Sequence, residues 1–471
     1  MSDAKMFINR QVELAHLERL YQAEVAQLYV LYGRRRVGKT ELLHTFCADK
    51  PHIFFVATLS SDSDQLATFS QEVWRFLYGE AAEDFTFPSW DAALQMLSNL
   101  PGRPVVILDE ITYLIGGNKA FPSILQKVWD GQLRQSNLFL ALCGSYVGMM
   151  EREVMGYQAP LYGRHTGSEH LQPLSLPASA LFFPTYSPVE QIEAWAVLGG
   201  MPYYLQLFSD TQTIFDNIQQ HILDARGLLY REPQLLLMEE LREPRNYFSI
   251  LRAIAEGRRR LNEIVQGAGI GDSRSTSRFL DILRQLRVVT RETPVTERQP
   301  SKSRKGLYQL SDAFLRFWFR FVHPNQGMLD LGLAAAILEQ RVRPHFDQFV
   351  SLAFEEAAQA FIAQKAAAGQ LAFLPERIGR WWTDDDEIDL VAINDTDRTL
   401  LVGECKWTQR PVGINILDDL KRKTIRMLGQ AEGWQIHYAL FAKTGFTTDM
   451  GMAAESENVL LITPTEMVQE P

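Results

Sequence analysis

A loop bounded by two glycines has the residue types and the spacing of a phosphate-binding site. Gly33-Arg-Arg-Arg-Val-Gly-Lys-Thr40 matches the pattern G-x-x-x-x-G-K-T and lies between a strand-like apolar run and an amphipathic helix. The glycines let the loop turn its N–H groups inward around phosphates, and the helix N-terminus adds partial positive charge. Lys39 is expected to neutralise phosphate charge and Thr40 to give an oxygen to Mg²⁺. The sequence predicts that ATP or ADP is held by Gly33, Arg34, Arg35, Arg36, Val37, Gly38, Lys39 and Thr40.

Two adjacent acids supply the second half of this site. Asp109 and Glu110 follow the apolar run that begins at Pro104. The end of a strand would place Asp109 near the Mg²⁺ shell and Glu110 where it can orient or deprotonate the attacking water. Taken as structure alone, the same residues would be a buried strand with an acidic loop. Because both halves occur in the required order, we expect ATP hydrolysis.

A serine and an arginine further along the chain are candidates for the same site. Ser145 ends a third strand-like run and is expected beside the γ-phosphate, with a purely structural role as the alternative. Arg164 offers a cation for charge that develops in the transition state. The pattern leaves three roles open for Arg164: a finger that acts on a neighbouring subunit, a sensor within the same chain, or an ordinary salt bridge.

Acids and a lysine in the C-terminal part form a second constellation. In two strands joined by a hairpin turn, alternation puts Glu387 with Asp389 on one face and Glu404 with Lys406 on one face. Asp389 and Glu404 would hold Mg²⁺ through hard oxygen ligands, and Lys406 would orient a water or stabilise a pentavalent phosphate. The alternative is a surface hairpin whose acids and lysine pair as cross-strand ions.

The elements that must position these residues indicate an α/β protein of several domains, because 471 residues exceed one hydrophobic core. Strands alternating with helices predict a P-loop ATPase core with a parallel sheet. Helical periodicity, as from Val189 to Leu207, predicts a helical lid; three helices and a ribbon predict a winged helix. Strands around a basic helix predict a small α/β domain. The expected boundaries are 1–180 for the core, 181–240 for the lid, 241–322 for the winged helix, 323–345 for a helical connector and 346–471 for the last domain.

The winged helix carries a local excess of positive charge. Residues 241–322 contain 17 Lys and Arg against 8 Asp and Glu, in a chain whose net charge is −10. Arg274 and Arg278 lie on one face of the helix that would enter a DNA major groove, and wing residues would straddle backbone phosphates. The sequence therefore favours DNA binding, while an autoinhibitory or oligomerisation surface stays open for this domain. The wing candidates are Lys302, Arg304 and Lys305.

Composition excludes several classes of protein. No apolar run approaches the ~20 residues that a membrane span needs, so no membrane contact is expected. Cys47, Cys143 and Cys405 are far apart in sequence and form neither a disulfide pattern nor a metal-ligand pair. These features predict a cytoplasmic protein.

In their order along the chain, the nucleotide-site motifs resemble those of the archaeal-type P-loop ATPases of the STAND/AAA+ group. The resemblance implies that Asn9 and Arg10 lie near the adenine and that Pro202 in the lid senses the base. It also implies that the ADP and ATP states differ in the positions of the lid and the winged helix. Besides the P-loop, it rests on Phe7-Ile-Asn-Arg10, Leu108-Asp-Glu110, Cys143-Gly-Ser145, Leu161-Tyr-Gly-Arg164 and Gly199-Gly-Met-Pro-Tyr-Tyr204.

The C-terminal constellation resembles the PD-(D/E)xK nuclease fold, in which a strand Asp is followed by E-x-K on the next strand. Asp389, Glu404 and Lys406 match that pattern, although no proline stands directly before Asp389. The resemblance implies that Glu355, on the preceding helix, adds a carboxylate to the metal site. Such folds also persist as inactive docking modules, so cleavage and docking both remain open.

Together these features predict an ATP-gated switch that controls a Mg²⁺-dependent nuclease-like domain and acts on DNA, in DNA processing or defence. A first alternative is a regulatory switch that binds DNA or a partner while its last domain is catalytically silent. A second alternative is a remodelling ring, a nucleotide-dependent homo-oligomer in which Arg164 acts across a subunit boundary.

Overall fold

The computed structural model describes residues 7–80, 84–241, 244–429 and 433–469. The chain divides into two compact units, Met1–Pro173 with Met201–Tyr203 and Leu174–Gly200 with Tyr204–Pro471. The finer domain boundaries expected from the sequence stay a prediction. Residues 242 and 243, at the start of the predicted winged helix, lie outside the described residues.

A parallel five-stranded sheet forms the centre of the first unit. β3 and β4 are buried along their whole length, because both of their faces are covered, and they therefore read as continuous apolar runs. Parallel pairing brings the carboxyl ends of β1, β3 and β4 to the same edge. The strands are β1 (Gln27–Tyr32), β2 (His52–Val56), β3 (Val105–Asp109), β4 (Phe139–Gly144) and β5 (Gly167–His170), in the spatial order β2-β3-β4-β1-β5.

Helices of the first unit follow most of these strands in the chain. α3 begins after Ser61, whose hydroxyl accepts a hydrogen bond from the Asp64 N–H, and it ends at Gly79 in the left-handed region. α2 begins directly after Gly38, so the predicted phosphate loop leads into its N-terminus. The helices are α1 (Gln11–Tyr21), α2 (Lys39–Cys47), α3 (Asp62–Tyr78), α4 (Trp90–Met96), α5 (Ile111–Gly117), α6 (Phe121–Gly131) and α7 (Val147–Met149).

The region of the predicted lid contains several shorter helices. The prediction of one helix from Val189 to Leu207 is wrong, because the chain breaks at Gly199 and Gly200. Gly199 has φ +63°, and a Cβ at Gly200 would lie 1.9 Å from the Leu174 carbonyl oxygen. Only glycine fits that close approach. α8 (Leu176–Ala180) precedes this region, and the helices within it are α9 (Pro188–Leu198), α10 (Pro202–Leu205), α11 (Ile214–Ile218) and α12 (Glu232–Glu240).

Three helices and a two-stranded ribbon follow in the predicted order. The Asp272 carboxylate caps the third helix by accepting a hydrogen bond from the Ser275 N–H at 2.7 Å. Beyond the first ribbon strand, Val295 donates its N–H to the Arg380 carbonyl and lies in the hydrophobic core of the C-terminal sheet. The elements are α13 (Pro244–Ala255), α14 (Leu261–Ala268), α15 (Ser273–Gln285), β6 (Val289–Glu292) and β7 (Leu307–Leu310).

The C-terminal sheet is mixed and is preceded by a long helix. β8, β9 and β10 pair antiparallel, whereas β10, β11 and β12 pair parallel, in the order β12-β11-β10-β9-β8. The sequence does not predict β8, because most of its residues are only partly buried and two are arginines. The elements are α16 (Ala313–Phe317), α17 (Gln326–Asp330), α18 (Ala334–Ile337), α19 (Phe346–Ala367), β8 (Arg377–Trp382), β9 (Glu387–Asn394), β10 (Thr399–Lys406), α20 (Ile414–Leu428), β11 (Gln435–Ala442), α21 (Thr448–Glu457), β12 (Leu460–Ile462) and α22 (Pro464–Met467).

Across the described ranges, none of these helices combines the length and the apolar character that crossing a membrane requires.

Candidate functional site

The loop between β1 and α2 has the backbone of a phosphate cradle. Gly33 has φ +155°, and a Cβ there would lie 2.6 Å from the Leu171 carbonyl oxygen, so no larger residue fits. Gly38 has φ +94° and Arg36 has φ +69°, both in the left-handed region. These turns direct the loop around the N-terminus of α2, where unpaired N–H groups favour an anion.

Lys39 is held at the centre of this loop. Its Nζ donates to the carbonyls of Gly33 at 2.9 Å and Arg34 at 3.1 Å, and to the Ser145 hydroxyl at 3.0 Å. The side chain is buried. A buried ammonium group beside a left-handed loop is suited to phosphate oxygens, which would exchange for these neutral acceptors.

A hydroxyl and a carboxylate meet where Mg²⁺ is expected. Thr40 Oγ1 donates to Asp109 Oδ2 at 2.8 Å, across the gap between α2 and the end of β3. Asp109 is buried at 2% exposure, and hard oxygens of this kind are the ligands that Mg²⁺ prefers. Burial raises the pKa of the adjacent Cys143 thiol well above its usual range, and the charge of Asp109 raises it further. Cys143 is therefore a neutral neighbour of this pair.

Glu110 is tied to Ser145 and lies in a strained conformation. Its φ is +52°, in a region that non-glycine residues rarely adopt. Ser145 donates its backbone N–H to Glu110 Oε2 at 3.2 Å and its hydroxyl to Glu110 Oε1. Because the same hydroxyl accepts from Lys39, the three side chains form one hydrogen-bonded chain. Sequence reasoning places all three at the site, but it does not predict this connection.

Arg10, in the N-terminal motif, donates hydrogen bonds to the phosphate loop and to the segment after β5. Arg10 Nη2 donates to the carbonyls of Val37 at 3.3 Å and Gln172 at 2.7 Å, and Nη1 pairs with Glu13 at 2.8 Å. The Asn9 side chain accepts from the Arg10 N–H at 2.6 Å. Arg10 therefore contacts the phosphate loop, while its expected place near the adenine stays a prediction.

Two residues of the Met201–Tyr203 segment lie against the loop. The Cγ of Pro202 is 3.8 Å from the position of a Cβ on Gly38, and the Arg36 guanidinium stacks 4.0 Å above the Tyr203 ring. Tyr203 belongs to the motif that suggested Pro202 but was not itself predicted as a site residue. Arg35 donates to the Tyr113 hydroxyl at 2.6 Å, and its expected contact with the nucleotide stays a prediction.

Arg164 forms a salt bridge within its own chain. Its Nε and Nη2 donate to the Asp130 carboxylate at 2.9 and 2.8 Å, and Nη1 donates to the Pro160 carbonyl at 3.0 Å. Of the three roles that the sequence left open, this geometry matches the ordinary salt bridge. A role for Arg164 on a neighbouring subunit stays a prediction.

The C-terminal constellation lines a cavity of about 440 Å³. Carboxylate oxygens of Glu355, on α19, and of Glu387 and Asp389, on β9, lie within 4.8 Å of one another. Glu404 and Lys406, on β10, line the same cavity. The prediction of Glu355, Asp389 and Glu404 as metal ligands omitted Glu387. The alternation that puts Glu387 on the face of Asp389 was a signal that could have found it.

Cations already contact this acidic cluster. Arg380 Nη2, from β8, lies 3.5 Å from Glu355 Oε2 and also pairs with Glu387. Lys406 Nζ lies 2.6 Å from Glu404 Oε1, and Lys423, from α20, lies 3.3 Å from Glu404 Oε2. The cluster therefore divides into a side neutralised by Arg380 and a side neutralised by two lysines.

Burial and mutual repulsion shift the titration of these groups. Burial, followed by the charge of Asp389, raises the pKa of Glu355 to about 8, although Arg380 opposes the change. Burial and then Glu404 raise the pKa of Asp389, while the Cys405 N–H, which donates to Asp389 Oδ2 at 2.9 Å, opposes it. Glu355 Oε2 is buried and accepts no hydrogen bond from the part of the chain that the structure describes. A divalent cation fits this site, since it would satisfy that oxygen and relieve the repulsion.

The predicted nucleic-acid residues lie on the surface of the ribbon and of α15. Arg274 and Arg278 are exposed near the start of α15. Lys302 and Arg304 are exposed in the segment between β6 and β7. Lys305 is exposed as well, but its Nζ pairs with Glu297 at 2.9 Å.

The parallel sheet, the glycine loop and the acids at the end of β3 define the first unit as an ATPase of the P-loop class. Residues 7–208 match a family described as "ATPase domain predominantly from Archaea". Residues 318–425 match a family described as "Archaea bacterial proteins of unknown function". Among solved structures, the Walker-type ATPase of Pyrococcus abyssi has a TM-score of 0.50 at 21% identity, with 67% of this chain and 96% of that chain covered. That likeness shows the fold.

Two sequence relatives come from the archaeon Methanocaldococcus jannaschii. One is an uncharacterized protein that is 31% identical over 441 residues, which cover 93% of this chain and 96% of the relative. The chain therefore belongs to the same family of archaeal-type ATPases, with an ATPase domain followed by the C-terminal domain of unknown function. The other is an uncharacterized ATP-binding protein that is 53% identical over 45 residues, covering 10% of this chain and 76% of the relative.

Proposed function

We propose that this protein is an ATP-binding and ATP-hydrolysing switch that controls a Mg²⁺-dependent nuclease-like site in its C-terminal domain and acts on DNA. The observation that carries the nuclease part is the meeting of acids from α19 and β9 with Glu404 and Lys406 in one cavity. An acidic cluster beside a lysine suits hydrolysis of a phosphodiester.

Each residue of the proposed nucleotide site would have one role in ATP hydrolysis. Lys39 would neutralise β- and γ-phosphate charge, Thr40 and Asp109 would hold Mg²⁺, and Glu110 would position the attacking water. Mg²⁺, when bound, supplies positive charge to the phosphate oxygens. Glu110 accepts one hydrogen bond from Ser145 on each carboxylate oxygen, and each oxygen keeps a second lone pair that can accept from a water. Ser145 would thus orient Glu110, and its contact with Lys39 links that orientation to the phosphates.

In the nuclease-like half, Glu355, Asp389 and Glu404 would hold the metal, with Glu387 beside them. Mg²⁺ there would act as a Lewis acid on the scissile phosphate. Lys406 would orient the attacking water or stabilise the charge of the phosphate. Its pKa is raised because Glu404 and Asp389 outweigh the effect of burial, so Lys406 stays a cation at neutral pH.

The winged-helix segment touches the acidic site, which supports control of one by the other. Val295 enters the core of the C-terminal sheet and bonds to the Arg380 carbonyl at 2.8 Å. Glu292 Oε2 lies 3.9 Å from Arg380 Nη1, the arginine that also pairs with Glu355. DNA bound to the exposed residues of α15 and the wing would shift the segment that contains Glu292 and Val295. These exposed residues are Arg274, Arg278, Lys302 and Arg304.

The experiment compares cleavage by wild type, Lys406→Ala and Lys365→Ala. Labelled duplex DNA, single-stranded DNA and RNA are incubated with Mg²⁺ or Mn²⁺ and with ATP, ADP or no nucleotide. We expect metal-dependent cutting of DNA that Lys406→Ala abolishes, that Lys365→Ala retains and that the nucleotide changes. A Lys39→Ala variant should still cut but lose the effect of the nucleotide.

A second candidate is a switch whose C-terminal domain binds DNA or a partner without cutting. The ion pairs of Arg380, Lys406 and Lys423 favour it, because they already neutralise much of the acidic cluster. Absence of cleavage in every nucleotide state, together with ATP-dependent DNA binding that needs Arg274 and Arg278, would support this candidate and refute the first.

A further inference from the structure

A second cavity, of about 170 Å³, lies between the winged-helix segment and α19. Three arginines line it. Arg259 lies in the chain after α13, whereas Arg316 and Arg320 lie after β7, the second strand of the ribbon. Its remaining wall is largely apolar and aromatic. That wall includes Ile254, Tyr308, Leu310, Phe349 and Leu352.

The three guanidinium groups are unequally neutralised. Arg316 forms a bidentate pair with Glu356, so its charge is satisfied. Arg320 donates to the neutral Gln348 side chain at 3.0 Å and forms no ion pair among the residues the structure describes. Burial lowers the pKa of Arg320.

Arg259 also has unused hydrogen-bonding capacity. Its Nη2 donates to Gln309 at 2.7 Å and lies 3.7 Å from Glu292 Oε2. Its Nε is buried and has no hydrogen-bond partner within the described ranges of the chain. Buried donors are almost always paired, so a buried guanidinium N–H without an acceptor calls for a ligand or a water.

We propose that this cavity binds the phosphoryl group of a small phosphate or phosphomonoester, held by Arg259 and Arg320. A guanidinium fork suits phosphate oxygens in two-point contact, which would satisfy both arginines at once. The cavity has room for several heavy atoms, since one water takes ~30 Å³ of liquid volume. The apolar wall would contact the organic part of an ester.

The same site would link ligand binding to the acidic cavity. Arg259 and Arg380 share Glu292 as a partner, at 3.7 and 3.9 Å. An anion that draws Arg259 toward itself would leave Arg380 as the arginine that pairs with Glu292. The binding site stands independently of nuclease activity, because it rests on a different cavity.

The test measures anion binding by calorimetry in a Lys39→Ala background, which weakens the competing phosphate site in the P-loop. Orthophosphate and phenyl phosphate are titrated at constant ionic strength against a chloride control. We expect saturable binding that Arg320→Gln weakens about tenfold or more, as the loss of one charge-assisted hydrogen bond predicts. Tighter binding of phenyl phosphate would identify an ester as the ligand, and tighter binding of orthophosphate would identify the free anion.

Arg252→Gln, on the exposed face of α13, is the matched control and should bind like the parent. Leu352→Trp should fill the cavity and block binding without removing an arginine, which covers the case in which Arg320→Gln fails to fold. Binding no stronger than that of chloride, or equal binding by the parent, Arg320→Gln and Leu352→Trp, would overturn the proposal.

Discussion

Replacing Glu355 by Gln should remove a pH-dependent loss of stability from the C-terminal domain. A carboxyl whose pKa rises from 4.5 to about 8 on folding retains its proton in the folded state while the unfolded state loses it. The contribution of this group to the free energy of unfolding is therefore fully present below pH 4.5 and is lost as the pH rises to about 8. Glutamine has nearly the shape of the protonated carboxyl but does not titrate.

The size of the effect follows from the two pKa values. Between pH 5 and pH 9, the wild type should lose on the order of 4 kcal/mol relative to Glu355→Gln, at 1.36 kcal/mol per pH unit. Glu355 is largely buried, so little of this difference is lost to solvent screening. Mg²⁺ should offset the loss at pH 9, because a cation binds the ionised carboxylate.

The assay unfolds the protein in urea without divalent metal. Hydrogen exchange of peptides from β9 and β10 is the readout of unfolding. Local readout is needed because a chain of two compact units need not unfold in one step. Glu455→Gln, exposed on α21, makes the same chemical change at the surface and is the matched control. An equal stability difference between Glu355→Gln and wild type at pH 5 and pH 9 would refute the reasoning.

Other outcomes can be checked directly. Glu110→Gln should bind ATP normally but hydrolyse it roughly 10²–10⁴-fold more slowly in single turnovers, and unchanged turnover would exclude Glu110 as the residue that activates water. Gly33→Ala should weaken ATP binding in a fluorescence titration, since its Cβ meets the Leu171 carbonyl at 2.6 Å, whereas Gly148→Ala, with open space around it, should not. Arg304→Gln should reduce the slope of log affinity for DNA against log salt by about 0.9, and an unchanged slope would show that Arg304 makes no phosphate contact.

Local patterns were sufficient to predict which residues meet around the glycine loop. The loop, the acids at the end of β3 and Ser145 after β4 each lie at the end of a buried strand, and parallel pairing brings such strand ends together whatever the detailed connections. The hydrogen-bonded connection from Lys39 through Ser145 to Glu110 could not be predicted from the sequence. It depends on side-chain positions and on the left-handed backbone of Glu110, which no sequence pattern marks.

The acidic site shows where sequence reasoning stops. The E-x-K pattern predicted Glu404 and Lys406 on β10, because alternation along one strand is a local property. Arg380 was missed because β8 is only partly buried and does not have the alternation of a strand. The partners of Arg380 come from α19, β9 and the ribbon. Contacts among such distant segments depend on tertiary structure.

Val295 bears on how the C-terminal domain could be separated from the rest of the protein. Its side chain fills part of the core that also contains Trp381 and Ile388. A fragment that began at residue 346 would lose this side chain and would leave a hole in its hydrophobic interior. It would also lose Glu292, so that among the described residues Arg380 would keep the acidic-cavity carboxylates of Glu355 and Glu387 as its ion-pair partners. The smallest stable piece of the C-terminal half therefore has to include the ribbon.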